Sequence, residues 1–476
     1  MIFKIIPRRL YRSKYLQVGV TLCFLFFWAS QLLYHSTKEY YSFRESIIIN
    51  KSSLSTPPPS TPPPSTTTTA APKLKDVVYD SEWIHVPLSN GKSVYQYSAY
   101  QDNRVGYPIV RIIGITQFKF KDKLDCIMED EHGYRLSTEV DLRQNKEHWN
   151  LPWSSFFFNC RIEGNFIPKQ VRLVLQGEEI QNGTNWTKVV STHPIRINDA
   201  HALKRNLSGF SVCVKPLYNN HDRALWFLEF IEFYRLLGAT HFFFYNHTVG
   251  PHVSSIIRHY QKKNVITLLP WNLPIESKTK IRNEGQFSAF NDCTYRSMYR
   301  FKYTAVVDVD EYLIPKQSLD IPTMLDKLDG KSTGSFIFRN AFFYLYWEND
   351  TSLVRPEEDS KYLITMFKTR RIVKLHNYGV RSKYVVKADD VIEVGNHNIW
   401  QHIPGRSALK VKEEFGLSHH YRICEFGGFA CKENPSVIDT STHRWSDKLF
   451  KAVKESCKLI FDNPACPNPP PLGNPW

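Results

Sequence analysis

Apolar residues follow two rhythms along this chain, and the change between them falls near residue 208. Between residues 76 and 204, β-branched and aromatic runs at 110–116, 154–160 and 169–175 are separated by turn-forming residues, which predicts a small β-rich, sandwich-like unit. Beyond it, FSVCV at 210–214 reads as a strand buried on both faces. Residues 222–238 then place Leu225, Leu228, Ile231, Tyr234 and Leu237 at helical spacing, with Asp222 as the expected N-cap and Gly238 as the stop. Strands at 241–245, 265–269 and 303–307 alternate with helices at 251–263 and 285–301. Strand alternating with helix predicts an α/β fold with a mostly parallel central sheet, covered on both faces, whose ligands sit at the carboxyl ends of its strands.

The first 75 residues differ in kind. Residues 16–34 carry no charged side chain and are long enough to cross about 30 Å of hydrocarbon. Lys4, Arg8, Arg9, Arg12 and Lys14 precede them, which predicts a signal-anchor with a cytosolic tail at 1–15 and the body on the far side of the membrane. Residues 35–75 become a stem, Pro/Ser/Thr-rich from 51 onward, extended and solvated because it has almost nothing to bury. A β-rich domain at 76–204, a catalytic domain at 205–460 and a Pro-rich tail at 461–476 complete the expected layout. That layout is the one expected of a single-pass type II Golgi membrane protein.

Charge and cysteine usage refine this picture. The chain carries a formal +15, of which residues 1–75 hold +8, so the folded body lacks the concentrated basic patch that nucleic-acid binding needs. Apart from Cys23, the cysteines are Cys126, Cys160, Cys213, Cys293, Cys424, Cys431, Cys457 and Cys466, an even set suited to disulfides, with Cys126–Cys160 as one expected pair. No pair has C-x2-C spacing, which argues against a zinc site. Glycosylation sequons stand at Asn50, Asn182, Asn185, Asn206, Asn246 and Asn349.

The sharpest chemical feature is Asp308-Val309-Asp310-Glu311, directly after the apolar strand ending TAVV. Three carboxylates in four residues repel one another unless cations compensate. Mg2+ or Mn2+, which take oxygen ligands and share them with phosphates, would do so and would offset charge on a departing diphosphate. His397 is the expected further ligand, with His419 and His420 as competitors. Asn291 and Asp292, in the helix before the acidic strand, could hydrogen-bond a sugar or base, and Lys215 and Arg282 could contact phosphate. Glu348 and Asp350, beside Trp347, are the expected catalytic carboxylates, with Glu311 and Glu425 as alternatives.

Several runs together resemble glycosyltransferase family 92. They are Cys213-Val214-Lys215-Pro216-Leu217-Tyr218, the helix around Leu228–Tyr234, Asn291-Asp292-Cys293 and Asp308-Val309-Asp310-Glu311-Tyr312-Leu313. Lys383–Lys387 leading to Gly395-Asn396-His397, and His420-Tyr421-Arg422, complete the set, over roughly residues 205–460. The resemblance implies a nucleotide-sugar-binding, glycosyltransferase A-type fold and inverting, manganese-dependent transfer of galactose from UDP-galactose to a glycan acceptor, fucose on an N-glycan core. It also implies that Asp308 faces ribose and metal, that Asp310 ligates the metal and that His397 is the later ligand. Ala388 stands where the family often has Pro. A non-catalytic glycan-binding protein is the competing expectation, since stem, sequons and aromatics suit a lectin as well. No glycine-rich phosphate loop follows the first strand of the alternating region, which argues against a sulfotransferase or nucleotide kinase.

Overall fold

A computed structural model describes residues 82–463 and 466–467, apart from residues 105, 180–184, 191–206, 278, 354–362 and 426–427. The expected tail, anchor and stem, and the sequons at Asn50, Asn182 and Asn206, lie outside the described residues. Among the described residues no helix is long and apolar enough to cross a membrane. The expectation of a Golgi membrane protein is corrected on that finding: it rested on residues 16–34, and no described helix supplies a span.

Eight strands form the β-rich part: β1 (Ile84–Pro87), β2 (Ser93–Asp102), β3 (Ile109–Gln117), β4 (Leu124–Glu129), β5 (Arg135–Gln144), β6 (Trp153–Arg161), β7 (Gln170–Leu175) and β8 (Thr187–Val190). Their order is β1-β2-β3-β6-β5-β4-β7-β8, and β8 returns to pair with β2. The sequence pattern suggests a two-layer sandwich, but this closure makes a barrel. The device is in β2: a register shift between Gln96 and Ser98 sharpens the twist, so one half of the strand serves β1 and the other half serves β8. Val110, Ile112, Phe156, Phe158 and Leu173 fill the interior, and the Cys126–Cys160 disulfide links β4 to β6 inside it.

The alternating region contains β9 (Phe210–Val214), α1 (Ala224–Leu236), β10 (His241–Asn246), α2 (Pro251–Lys262), β11 (Ile266–Pro270), α3 (Gln286–Ser297) and β12 (Tyr303–Val307). Helix α1 is buried on nearly every side because the sheet lies beneath it and a C-terminal helix covers it. Helix α2 is amphipathic, burying Val253, Ile256, Ile257 and Tyr260 at the spacing of one face. Asp222 does not cap its own helix. Its Oδ1 accepts instead from Val253 N at 2.9 Å and so caps α2, and a Cβ on Gly250 would collide with it.

After β12 come β13 (Glu311–Pro315), α4 (Ile321–Leu328), β14 (Thr333–Phe338), β15 (Asn340–Tyr344), the short α5 (Ile364–Phe367) and β16 (Arg370–Ile372). Then follow β17 (Lys383–Val386), β18 (Val391–Val394), β19 (Ile399–His402), β20 (Ser407–Val411), β21 (Gly416–Arg422), β22 (Ser436–Ile438) and α6 (Ser446–Phe461). The main sheet runs β11-β10-β9-β12-β17-β14-β20, parallel from β11 through β12 and antiparallel on either side of β17. A second sheet, β13-β21-β15, stands at the end of β12. Barrel and sheets belong to one compact unit, residues 77–476. Helix α3 is the shared wall: Phe290 and Ala289 pack in one cluster with Tyr97, Ile113, Ile115 and Phe157 of the barrel and with Phe243 and Tyr245 of the sheet. The Cys213–Cys293 disulfide fastens α3 to β9, and Cys424–Cys431 and Cys457–Cys466 close two short loops.

Candidate active site

In the parallel part of the sheet the order of strands reverses between β9 and β12. Connections leave such a point in opposite directions and open a crevice at the carboxyl ends of the strands. Lys215 follows β9 and Asp308 follows β12, and Lys215, Leu217, Tyr218, His221 and Asp310 line a cleft there.

The acidic run is a tight turn between β12 and β13. Asp308 N donates to Glu311 Oε2 and Glu311 N to Asp308 O, both at 3.1 Å. Strand β13 then pairs antiparallel with β21, which sets His420 directly opposite Glu311. His420 Nδ1 lies 3.1 Å from Glu311 Oε1, and its Nε2 lies 3.3 Å from Asp310 Oδ2. From the other side, fully buried Lys383 at the start of β17 places Nζ 3.1 Å from both Asp308 Oδ2 and Glu311 Oε2. Lys215 Nζ, on a side chain about a quarter exposed, lies 3.5 Å from Asp308 Oδ1. Three carboxylates thus face three cations of the protein itself. This changes the premise drawn from the sequence, because the crowding is already offset without an ion.

The titration behaviour follows. Burial acts to raise the Asp308 carboxyl, but Lys215 and Lys383 outweigh it and hold the group well below the usual carboxylate range. For Asp310 burial is likewise overcome, here by His420. Burial acts to lower His420, yet Asp310 and Glu311 push it up to about 9, so its ring is cationic at neutral pH. His397 goes the other way: burial, then Lys383, press it down to about 3, leaving a neutral imidazole.

Ligand atoms of Asp308, Asp310 and Glu311 lie within 4.8 Å of one another. Asp308 Oδ1 and Glu311 Oε1 are buried and make no hydrogen bond. Three carboxylates with free lone pairs are the hard oxygen donors that Mg2+ or Mn2+ takes, so the residues fit a divalent cation. His397 is outside this group. Its Nδ1 faces Ser382 O at 3.2 Å and its Nε2 faces Asn396 Nδ2 at 3.0 Å, in the turn between β18 and β19. That turn nevertheless reaches the acids, because Asn396 Oδ1 accepts from Lys383 Nζ at 2.9 Å. Buried His419 stacks on Phe343 instead.

Other candidates resolve into framework. Asn291 Nδ2 donates to Phe287 O and Val394 O and its Oδ1 accepts from Val394 N, so it holds α3 against β18. Asp292 accepts from Tyr100, Tyr245 and Arg296, each at 2.6 Å, and ties barrel, sheet and α3 together. Neither has a polar atom left for a donor substrate. The Arg282 guanidinium lies 4.3 Å from the Trp149 ring centroid. Asp350 accepts from Ser352 N at 2.8 Å and Thr369 Oγ1 at 3.2 Å, closing its own loop, while Glu348 is exposed. Among the described residues no hydrogen bond or ion pair joins Glu348 or Asp350 to the acidic turn. Glu425 lies 2.8 Å from Arg381 and 3.4 Å from Arg422, whose guanidinium is 4.7 Å from the Phe342 ring centroid, and Phe342 packs edge-on against His420 at 5.2 Å. Asn185 and Asn349 are exposed, as a glycan acceptor must be. Asn246, at the carboxyl end of β10, has a buried Oδ1 with no hydrogen bond, and nearby Glu284 places Oε2 3.3 Å from His247 Nε2.

Comparison with known proteins bears on what this cleft does. The model of glycosyltransferase family 92 matches residues 208–459, more than half of the chain. The chain belongs to glycosyltransferase family 92. Beta-1,4-galactosyltransferase galt-1 of Caenorhabditis elegans is 27% identical over 237 residues, 48% of this chain and 53% of that protein. Glycosyltransferase family 92 protein F13G3.3 of the same organism is 22% identical over 270 residues, 51% of this chain and 50% of that one. The chain thus spans about half the length of the curated relatives it matches. Among solved structures, glucosyl-3-phosphoglycerate synthase from Mycobacterium tuberculosis with Mg2+ and UDP overlaps 57% of this chain and 85% of its own, at 12% identity and a TM-score of 0.25. S. aureus TarS 1-349 overlaps 53% and 66%, at 12% identity and a TM-score of 0.22. The family match begins at β9 and so leaves the barrel outside it.

Proposed function

We propose that the protein is a metal-dependent galactosyltransferase of the glycosyltransferase A type, moving galactose from UDP-galactose to a glycan acceptor with inversion, the acceptor sugar being fucose on an N-glycan core. The observation that carries this reading is the acidic turn at the strand-order reversal, where Asp310 and Lys215 line one cleft and Asp308 lies 3.5 Å from Lys215 Nζ. The sugar and the acceptor follow the family resemblance and the name of the nematode galactosyltransferase relative.

Asp308 and Asp310 would hold the cation, with Glu311 kept in register by Lys383 and His420. A divalent cation there supplies Lewis-acid compensation for the charge on the departing diphosphate. Lys215, the least buried of the three cations, contributes a second positive charge on the donor side. Asn246, bridged through its backbone to Leu217 of the cleft lining, keeps a buried Oδ1 without a hydrogen bond, which would match the imide N–H of a uracil base. His397, neutral and next to Asn396, is kept as a further ligand for the metal, since Asn396 ties its turn to the acids through Lys383. For the base that takes the acceptor proton, we carry Glu425 forward ahead of Glu348 and Asp350, because its partner Arg422 packs on Phe342, which packs on His420.

The test is donor screening of the purified full chain, reading UDP release against a panel of nucleotide sugars with and without Mn2+. Asp310→Ala is expected to abolish transfer in a protein that still folds, with a lowered melting temperature because His420 loses one of its two acid partners. Turnover retained in that variant would remove the metal role.

A further inference from the structure

The outer face of the barrel changes character along its strands. Near α3 it is apolar, with Ile113, Ile115 and Phe157 buried against the helix. Two residues further along β3 and β6 the same face becomes polar, because side chains two apart share a face. Arg111 on β3, Asn159 on β6 and Asp141 on β5 stand in register across three adjacent strands. Arg111 Nη1 donates to Asn159 Oδ1 at 2.8 Å, Asn159 Nδ2 to Asp141 Oδ2 at 3.1 Å, and Arg143 Nε to the same Oδ2 at 2.9 Å.

This row is no ordinary solvated surface. Arg111 is 2% exposed and Asn159 6%, and both line a cavity of about 750 Å³, within the range of small-molecule and oligosaccharide sites. Buried Asp102 holds the arginines from behind, 2.9 Å from Arg104 Nε and 3.3 Å from Arg111 Nη2. Arg104 Nη1 donates to Ala388 O and Val391 O, which fixes the opposite wall, where Ile392 and Gln401 of the β18–β19 hairpin stand. Tyr107, 45% exposed, lies at the rim with the Arg161 guanidinium 5.0 Å from its ring centroid.

We propose that this groove binds an oligosaccharide and holds the part of the acceptor glycan that does not react. Sugar hydroxyls both donate and accept, and a fixed row of alternating arginine, amide and carboxylate groups offers both in one plane at the roughly 4.8 Å spacing of strands. An exposed aromatic face covers the apolar C–H side of a pyranose. An anion would select arginines without carboxylates between them; here Asp102, Asp141 and Glu139 interleave with the cations. The row is pre-organised, so little ordering cost falls on the ligand. One hairpin ties the groove wall to the turn that reaches the acids. Gln401 of the groove wall is four residues from His397 along that hairpin, roughly 13 Å of extended chain.

The binding itself does not depend on the transferase reading, whereas the assignment to the acceptor rests on it. Titration calorimetry of the intact protein, without nucleotide or metal, with a neutral biantennary N-glycan would test it, heparin serving as the charged control. Saturable binding of the neutral glycan is expected, weakened about tenfold by Tyr107→Ala, weakened also by Asp141→Asn, and unchanged by Asp310→Ala. Melting curves of the two groove variants are expected to match the parent. No saturable binding at millimolar glycan, equal binding by Tyr107→Ala and Asp141→Asn, or binding of heparin alone that disappears in salt would overturn the proposal. Loss of binding in Asp310→Ala would place the glycan in the donor cleft and equally overturn it. If the neutral glycan binds and no sugar is transferred to it, the groove stands and the transferase reading fails.

Discussion

At the scale of single residues, Lys383 carries more of the site than its position in the sequence suggests. It is fully buried, and its ammonium is shared among Asp308, Glu311 and Asn396. Removing one partner of a buried ion group leaves the others uncompensated, at a cost of about 3–5 kcal/mol. Lys383→Met is therefore expected to lower stability by that order, read from the midpoint of urea unfolding, whereas Lys215→Met, on a partly exposed side chain, should spare stability and raise the donor KM. Gly395 is a second such residue: a Cβ there would sit 2.3 Å from Glu147 Oε2 and from Trp400 Nε1. Gly395→Ala should displace the turn bearing Asn396 and His397 and cut kcat in a protein that still folds. The acidic turn was legible in the sequence because three carboxylates adjoin. Lys383 was not, although one lysine opening the apolar strand KYVV was a signal, since a buried strand carries a charge only where an opposite one meets it. Nor did sequence separate His420 from His397. That distinction depends on the register of β13 against β21, a pairing across more than a hundred residues.

At the scale of elements, the strands and helices from 210 to 307 were legible to within two residues, except that the helix expected to run to 301 ends at Ser297. The β-rich part was legible as strands only. Closure into a barrel turns on one bulge in β2, which leaves no mark in the alternation of residues. The catalytic carboxylate belongs to this scale too, since it sits on loops whose mutual placement no local pattern encodes. Glu425 lies on the loop closed by Cys424–Cys431. Glu425→Gln is expected to lower kcat by about 10²–10⁴-fold with little change in donor KM, while Glu348→Gln leaves both within a factor of two. The reverse pattern in steady-state kinetics would return the role to Glu348.

At the scale of the whole molecule, buried polar ties join barrel to sheet: Asp292 with Tyr100 and Tyr245, and Arg104 with the carbonyls of Ala388 and Val391. Asp102 anchors the second of these, and although burial acts against its charged form, Arg104 and Arg111 hold its carboxyl below the usual range. A depressed carboxyl stabilises the fold above the unfolded value, near pH 4, and that stability is lost as pH falls further toward the folded value. Acid unfolding of Asp102→Asn is expected to show a flatter dependence below pH 4 than the parent, together with a lower melting temperature at pH 7.

The position of α3 between barrel and sheet has one more consequence. Cutting the chain at the start of the family match would strip Phe290, Trp271 and Tyr245 of the barrel residues that cover them, and the exposed aromatic surface would drive self-association. The smallest piece able to stay monodisperse therefore begins before β1.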